Sequence, residues 1–132
     1  MSEPVQILVI DDEQIMRDGC SRILSKDGWA VICAENGNQG LGEIQAHSDK
    51  IDVILLDLMM PGMSGMEVLD HVRTIDPNLL VIVITGYATV ESAVEAMKKG
   101  AFNYLSKPID LNRLRAELES ALRWRQVQVE GI

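Results

Sequence analysis

Five short apolar runs, spread along the chain, constrain its fold more than any other feature. They are mostly β-branched and continuous, with no alternation of apolar and polar residues. Such runs are typical of strands that are covered on both faces, as in a parallel sheet packed between helices. The fifth run is so short that we assign it as a strand mainly from its position. The runs are Ile7–Ile10, Ala30–Ala34, Val53–Leu56, Leu80–Ile84 and Tyr104–Leu105.

Amphipathic stretches separate these runs. Apolar residues recur there at helical spacing, as at Val90, Val94 and Met97, and Gly or Pro residues mark the ends of the stretches. Strand–helix units in alternation predict an α/β fold, and right-handed crossovers leave few topologies for it. We therefore predict a doubly wound, flavodoxin-like fold: a five-stranded parallel sheet in the order 2-1-3-4-5 with five helices.

The length of 132 residues is that of one domain. We assign residues 1–125 to this domain. The apolar pattern weakens after Leu122, so residues 126–132 either extend the last helix or form a C-terminal tail or linker stub.

Acidic residues outnumber basic ones by 20 to 12, which gives a formal net charge of -8. This excess disfavours direct contact with nucleic acid or with anionic membranes, because both need basic patches. No apolar run reaches the roughly 18 residues of a membrane-spanning helix, and the N-terminus lacks the features of a signal peptide.

Cys20 and Cys33 stand among apolar neighbours without C-x-x-C spacing, so we expect two small buried thiols in a reduced, cytoplasmic chain.

Polar side chains stand where the predicted strands end. The carboxyl ends of parallel strands meet at one edge of the sheet, where open α/β sheets bind ligands. We therefore expect three carboxylates, a hydroxyl and an ammonium to gather at this edge. The residues concerned are Asp11 and Asp12, followed by Glu13, after the first strand, Asp57 after the third, Thr85 at the end of the fourth and Lys107 after the fifth.

The carboxylates of Asp11, Asp12 and Asp57 would repel one another by about 4 kcal/mol for each pair at roughly 4 Å, at an effective dielectric constant near 20. Such a cluster needs a cation, and hard oxygen ligands without clustered His or Cys favour Mg²⁺. Lys107 would then supply a positive charge to a phosphoryl oxygen, and Thr85 a hydrogen bond. Asp57 stands alone at the end of the central strand, so it is the best candidate for a nucleophile that forms an acyl phosphate.

Each of these residues also has a plain structural interpretation. Asp11 and Asp12 could cap the first helix, whose amino end favours carboxylates. Thr85 could bond to the backbone at the end of its strand, and Lys107 could be a solvated lysine in a turn. Tyr104, taken alone, is most simply a half-buried core aromatic. The coincidence of the polar groups at one edge favours a functional site over these separate explanations.

Other functions share parts of this pattern. A phosphatase of the haloacid dehalogenase type needs a second acid two residues after the nucleophile, where this chain has Met59. An esterase needs G-x-S-x-G, and the Gly62-to-Gly65 segment has a different spacing. A flavodoxin-like FMN carrier needs a Ser/Thr/Gly-rich phosphate loop after the first strand, where acids stand here. A structural adaptor without phosphorylation would leave the set of acids unexplained.

Four stretches of this sequence resemble the receiver domain of bacterial two-component response regulators. The resemblance covers residues 5–125 and implies a CheY-like fold. The stretch from Thr85 to Pro108 is most similar to receivers of NtrC-type transcription activators. The four stretches are ILVIDDE at 7–13, VILLDLMMPGMSG at 53–65, VITGYA at 83–88 and GAFNYLSKP at 100–108.

The resemblance implies a phosphorylation site and a Mg²⁺ site. Asp57 matches the phosphoacceptor. Asp12 matches the acid that binds Mg²⁺ directly, and Asp11 the acid that binds it through water. Met59 would contribute only its backbone carbonyl to the ion.

The resemblance also implies a switch. Thr85 matches the hydroxyl residue that follows the phosphoryl group inward, and Lys107 matches the lysine that pairs with the phosphoryl oxygens. The bond from Lys107 to Pro108 is expected to be cis. Tyr104 matches the aromatic switch residue that turns inward with Thr85.

The resemblance finally implies partners. A sensor histidine kinase or a phosphotransfer protein would donate the phosphoryl group. The face formed by the fourth helix, fifth strand and fifth helix would then change, and could pair two receivers as a homodimer. Such a domain is not an enzyme in the ordinary sense, because it catalyses only its own phosphorylation and dephosphorylation. We expect it to regulate transcription in the cytoplasm, without itself contacting nucleic acid or membrane.

Overall fold

The computed structural model describes residues 4–130, in which strands and helices alternate as the sequence predicts. Each predicted apolar run lies within one strand. The strands are β1 (Gln6–Ile10), β2 (Ala30–Ala34), β3 (Val53–Asp57), β4 (Leu80–Thr85) and β5 (Asn103–Ser106). The helices are α1 (Gln14–Ser25), α2 (Gly37–His47), α3 (Gly65–Ile75), α4 (Val90–Lys98) and α5 (Leu111–Glu130).

The sheet is parallel throughout, and its order is β2-β1-β3-β4-β5, as predicted. The order reverses between β1 and β3, because the chain leaves β1 toward β2 on one side and returns to β3 on the other. This reversal opens a crevice beyond the carboxyl ends of β1 and β3. The register places Ile10 beside Leu56 and Asp57 beside Ile84, so the residues that end these strands emerge at one edge.

The two faces of the sheet bury separate halves of the core. Successive strand residues point to opposite faces, so Leu8 joins one apolar cluster and Ile7 the other. The first cluster packs beneath α2 and α3, with Leu69 fully buried, and the second beneath α1 and α5, with Leu118 fully buried. All residues of β3 and β4 are buried, which confirms that the central apolar runs are covered on both faces.

The edge strand β2 departs from one expectation. Most of its residues are only partly buried, and Cys33 is exposed, whereas Cys20 on α1 is completely buried. The prediction of a buried thiol is therefore wrong for Cys33. The reason is that β2 has a neighbouring strand on one side only, so the helices cover it less than they cover the central strands. Both thiols are free, and burial raises the pKa of the Cys20 thiol to about 12.

Helix α5 continues past the predicted end of the domain at residue 125. Residues 126–130 are helical, and residues 131–132 lie outside the described part of the chain. Arg125 on α5 contacts the segment just before β3, because its Nη1 donates a hydrogen bond to the backbone oxygen of Asp52 at 3.0 Å. The division into a domain and a tail stays a prediction. Among residues 4–130, no helix combines the length and apolar character needed to cross a membrane.

Candidate functional site

A hollow of about 850 Å³ lies at the carboxyl edge of the sheet. The structure brings most of the predicted side chains to it, with apolar residues around the rim. Asp11 and Thr85 reach the same edge but lie beneath its surface, with 1% and 0% of their area exposed. The polar and rim residues that line the hollow include Asp12, Glu13, Asp57, Met59, Tyr87 and Lys107.

Three carboxylates form a compact group in this hollow. Asp11, Asp12 and Asp57 each offer an oxygen, and these oxygens all lie within 4.8 Å of one another. Asp11 and Asp57 are buried, whereas Asp12 is exposed. Their closeness follows from the topology, because Asp57 ends β3 and the two other acids directly follow the neighbouring strand β1.

Helix capping does not account for the two acids after β1. The N-cap of α1 is Glu13, and within residues 4–130 its side chain makes no capping hydrogen bond. Asp11 Oδ1 accepts a hydrogen bond from the Glu13 backbone N–H at 2.9 Å, which fixes the turn between β1 and α1. Asp11 Oδ2 is buried, and the described residues offer it no hydrogen bond of good geometry. Its closest charged partner is the Lys107 ammonium at 2.9 Å, so this buried oxygen lies in a position that favours a cation.

Lys107 is the cation that the chain itself supplies. Its Nζ lies 2.5 Å from Glu13 Oε1, 2.9 Å from Asp11 Oδ2 and 3.5 Å from Asp57 Oδ2. The Lys107 backbone N–H donates to the Thr85 carbonyl at 2.8 Å, which continues the β4–β5 ladder, and the Lys107–Pro108 bond is cis, as expected. Burial alone would lower the pKa of this ammonium, but Glu13, Asp11 and Asp57 together raise it above its usual value.

Asp57 is held in an environment that disfavours its charge. Burial is the largest cause, and the nearby Asp11 carboxylate is the next; together they raise the pKa of Asp57 from 3.8 to about 6. The Met59 backbone N–H, 3.2 Å from Asp57 Oδ1, and the Lys107 ammonium oppose this rise only in part. A divalent cation would relieve this repulsion, so the site favours binding one.

This raised pKa predicts how the metal-free protein responds to pH. The folded protein holds the Asp57 proton more tightly than the unfolded chain, so the stabilising contribution is complete below about pH 4 and is lost as pH rises through about 6. Between pH 4.5 and 7.5, the free energy of unfolding of the wild type should fall relative to Asp57→Asn by about 1–2 kcal/mol, after allowance for solvent in the hollow. Urea unfolding with a chelator present measures this difference. Parallel pH profiles for the two proteins would contradict it.

Thr85 and Tyr104 make their hydrogen bonds to two different segments. Thr85 Oγ1 accepts from the Tyr87 backbone N–H at 3.1 Å, which ties it to the loop between β4 and α4. Tyr104 is half-buried against the apolar cluster that packs beneath α2 and α3, and its hydroxyl hydrogen-bonds to Ser92 Oγ. Ser92 also belongs to the capping box of α4, together with Thr89. Tyr104 is therefore connected to the amino end of α4.

Two of these partners, Ser92 and Glu13, do not follow from the sequence alone. The spacing of Thr89 and Ser92 resembles a helix cap and could have located the start of α4, but no local pattern reveals a bond to Tyr104. In the sequence, Glu13 is simply the residue that follows two acids. Its contact with Lys107 spans 94 positions of sequence, and only the parallel order of β1, β3, β4 and β5 brings the two together.

The residues of the hollow fit Mg²⁺. They supply several carboxylate oxygens, and the acidic trio is the one group of three or more potential metal-binding side chains among those that the structure describes. Oxygen ligands of this kind are those that Mg²⁺ prefers, and an exposed acid such as Asp12 leaves room for water at the ion. The participation of the Met59 carbonyl stays a prediction.

The fold and the hollow define a class of proteins: doubly wound α/β domains that carry a buried aspartate, further acids and a lysine at the carboxyl ends of their strands. The family model for the response regulator receiver domain matches residues 7–119. The chain belongs to this family.

Individual proteins with similar sequences include regulatory proteins, and one solved receiver domain has a similar structure. The transcriptional regulatory protein ZraR of Klebsiella oxytoca is 38% identical over 121 residues, and a cyclic di-GMP phosphodiesterase of Thermotoga maritima is 36% identical over 119 residues. These matches cover 91% and 90% of this chain but 27% and 31% of the two relatives, so the chain spans less than a third of their length. The crystal structure of a CheY-like receiver domain from Methanospirillum hungatei is similar with a TM-score of 0.91 and 28% identity, over 96% of this chain and 99% of that one.

Proposed function

We propose that this chain is a phosphoacceptor signalling domain of a two-component system. It takes a phosphoryl group from a sensor histidine kinase, or from a phosphotransfer protein, onto Asp57. The observation that carries the proposal is the setting of Asp57, whose buried carboxylate ends β3 beside two further acids and 3.5 Å from the Lys107 ammonium. The domain is not a general catalyst, because it promotes only its own phosphorylation and dephosphorylation.

The transfer is a substitution at phosphorus. A carboxylate oxygen of Asp57 attacks the phosphorus of a phosphohistidine, the bond between phosphorus and the donor nitrogen breaks, and an acyl phosphate forms. Lys107 pairs with the phosphoryl oxygens, which it can reach by a small movement because it already lies next to Asp57. No other residue forms a covalent bond in this step, so the site acts mainly by positioning the reacting groups and by neutralising their charge.

Mg²⁺ is the cofactor that we propose for this step. Asp11, Asp12, Asp57 and the backbone carbonyl of Met59 would hold it, with Asp11 acting through water. Bound there, it supplies positive charge to the acids and to the incoming phosphoryl oxygens. The closeness of the three acids and the burial of Asp11 and Asp57 support this assignment.

The switch that we propose starts at Thr85. Phosphorylation adds about 1.5 to 2 negative charges to the hollow, and the Thr85 hydroxyl moves from the Tyr87 N–H toward the new oxyanion. The β4–α4 loop then shifts, and Tyr104 adjusts with it. Because Tyr104 is bonded to Ser92, the amino end of α4 follows, and the face formed by α4, β5 and α5 is altered.

We propose that this altered face is the output surface. Apolar side chains on α4 support an interaction there, since Val90 is 78% exposed and Val94 and Met97 are each 47% exposed. A receiver homodimer through α4, β5 and α5 is the pairing we favour. We further propose a cytoplasmic domain that regulates transcription without itself contacting nucleic acid or membrane, as its net charge of -8 suggests.

Treatment with a small phosphodonor such as acetyl phosphate tests the function. With Mg²⁺ present, intact-mass spectrometry should show the gain of one phosphoryl group, and hydroxylamine should remove it, as is expected of an acyl phosphate. A chelator should prevent the gain. A chain that gains no phosphoryl group under any of these conditions would be a structural adaptor, and the proposal would be wrong.

A further inference from the structure

The nearest partner of the Lys107 ammonium is Glu13 rather than the proposed phosphoacceptor. Lys107 Nζ lies 2.5 Å from Glu13 Oε1, compared with 2.9 Å from Asp11 Oδ2 and 3.5 Å from Asp57 Oδ2. The Glu13 contact is a hydrogen bond of good geometry, whereas the contact with Asp11 Oδ2 is not. Glu13 thus holds the ammonium most directly, from the exposed rim of the hollow, where 61% of its side chain is exposed.

The backbone around Glu13 fixes this arrangement. Glu13 is the N-cap of α1, a position where Ser, Thr, Asp and Asn are preferred because their short side chains can bond to the first turn. Among the described residues, Glu13 makes no such bond, and its carboxylate extends to Lys107 instead. Its own N–H is held by Asp11 Oδ1, and its carbonyl accepts the Arg17 N–H at 3.1 Å. The Glu13 backbone is therefore fixed by hydrogen bonds on both sides, and the Glu13 side chain is available to Lys107.

A divalent cation and the Lys107 ammonium compete for the same oxygens. Asp11 and Asp57 belong to the group of oxygens that lie within 4.8 Å of one another, and both are also within 3.5 Å of Lys107 Nζ. Glu13 is not a member of that group. It therefore offers the ammonium a partner that the cation does not need.

We propose that Glu13 is a positioning residue: it shares the Lys107 ammonium with Asp11 and Asp57 and draws it toward the rim of the hollow, which weakens its hold on the two aspartates that a divalent cation would need. The inference rests on the proposed function and assigns a role in that site to a further residue. Without the Glu13 carboxylate, the ammonium would have only Asp11 and Asp57 as partners and would pair with them more strongly, so the cation would find it harder to displace. Glu13 acts through Lys107 and touches neither the cation nor the phosphoryl group.

The test measures Mg²⁺ affinity by titration of the wild type and three variants, followed by the backbone amide signals of residues 57–59. Glu13→Gln removes the charge, and Glu13→Asp keeps the charge but shortens the reach. Glu35→Gln is the matched control, because Glu35 follows β2 at the same edge and is 60% exposed in its pair with Arg17. Both Glu13 variants should raise the dissociation constant for Mg²⁺ about three- to tenfold more than the control does.

Removal of Lys107 separates this role from a general effect of charge. In a Lys107→Ala background, Glu13→Gln should change the affinity no more than Glu35→Gln does, because no ammonium is left to compete. If Glu13→Gln matches the control in the wild-type background, or keeps its full effect in Lys107→Ala, the inference is overturned and the proposed function stands. If the wild type itself does not bind Mg²⁺, the Mg²⁺-dependent function and the inference both fail.

Discussion

Asp57→Asn is expected to abolish phosphorylation by acetyl phosphate, with a loss of labelling of about a hundredfold or more. An amide has no anionic oxygen to attack phosphorus, and the other acids cannot replace Asp57. Asp11 is buried and its Oδ1 is bonded to the turn, whereas Asp12 is exposed and does not end the central strand β3. Labelling is measured by intact-mass spectrometry with Mg²⁺ present.

The matched control for this variant is Asp70→Asn. Asp70 lies on α3, 57% exposed in its pair with Lys99, so its replacement changes the net charge equally without touching the hollow. It should be labelled at the wild-type rate. Retained labelling of Asp57→Asn, removable by hydroxylamine, would assign the phosphoryl group to another acid and refute the role given to Asp57.

Gly65→Ala is expected to destabilise the protein by about 2–4 kcal/mol and to displace Asp57. Gly65 begins α3, and its N–H donates to the Leu58 carbonyl at 3.0 Å. A Cβ at this position would lie 2.3 Å from the Asp57 carbonyl oxygen and 2.6 Å from Leu58 Cα. Both atoms are backbone, so the clash is relieved only by moving α3 or the end of β3. Urea unfolding measures the loss, and labelling by acetyl phosphate should fall as well.

Gly42→Ala serves as the comparison, because Gly42 lies within α2 and a Cβ there would meet nothing within 4 Å. This variant should gain about 0.5–1 kcal/mol, since alanine favours the helix. If Gly65→Ala lowers the free energy of unfolding and Gly42→Ala raises it, the loss arises from the contact between α3 and the Asp57 backbone. A Gly65→Ala protein as stable as the wild type would contradict the expected clash.

The sequence predicts the fold and the principal acids because these depend on short patterns. Apolar runs separated by helical stretches define the strands, and the rule that parallel strands end at one edge brings Asp57 near Asp11. Contacts made by long side chains follow no such pattern. The bonds from Lys107 to Glu13 and from Tyr104 to Ser92 depend on how far each side chain reaches once the sheet is assembled. The exposure of Cys33 likewise depends on how far the helices extend over the edge strand.

The buried pair of Asp11 and Asp57 has a consequence for engineering. The Asp11 charge and burial disfavour the charged form of Asp57 and so lower the stability of the free protein, so a screen for heat resistance alone would favour substitutions that neutralise Asp57. Such a screen would enrich variants that are more stable but, under the proposed function, can no longer be phosphorylated. Selection for thermal stability in this domain therefore needs a concurrent selection for phosphorylation, because the two properties conflict at Asp57.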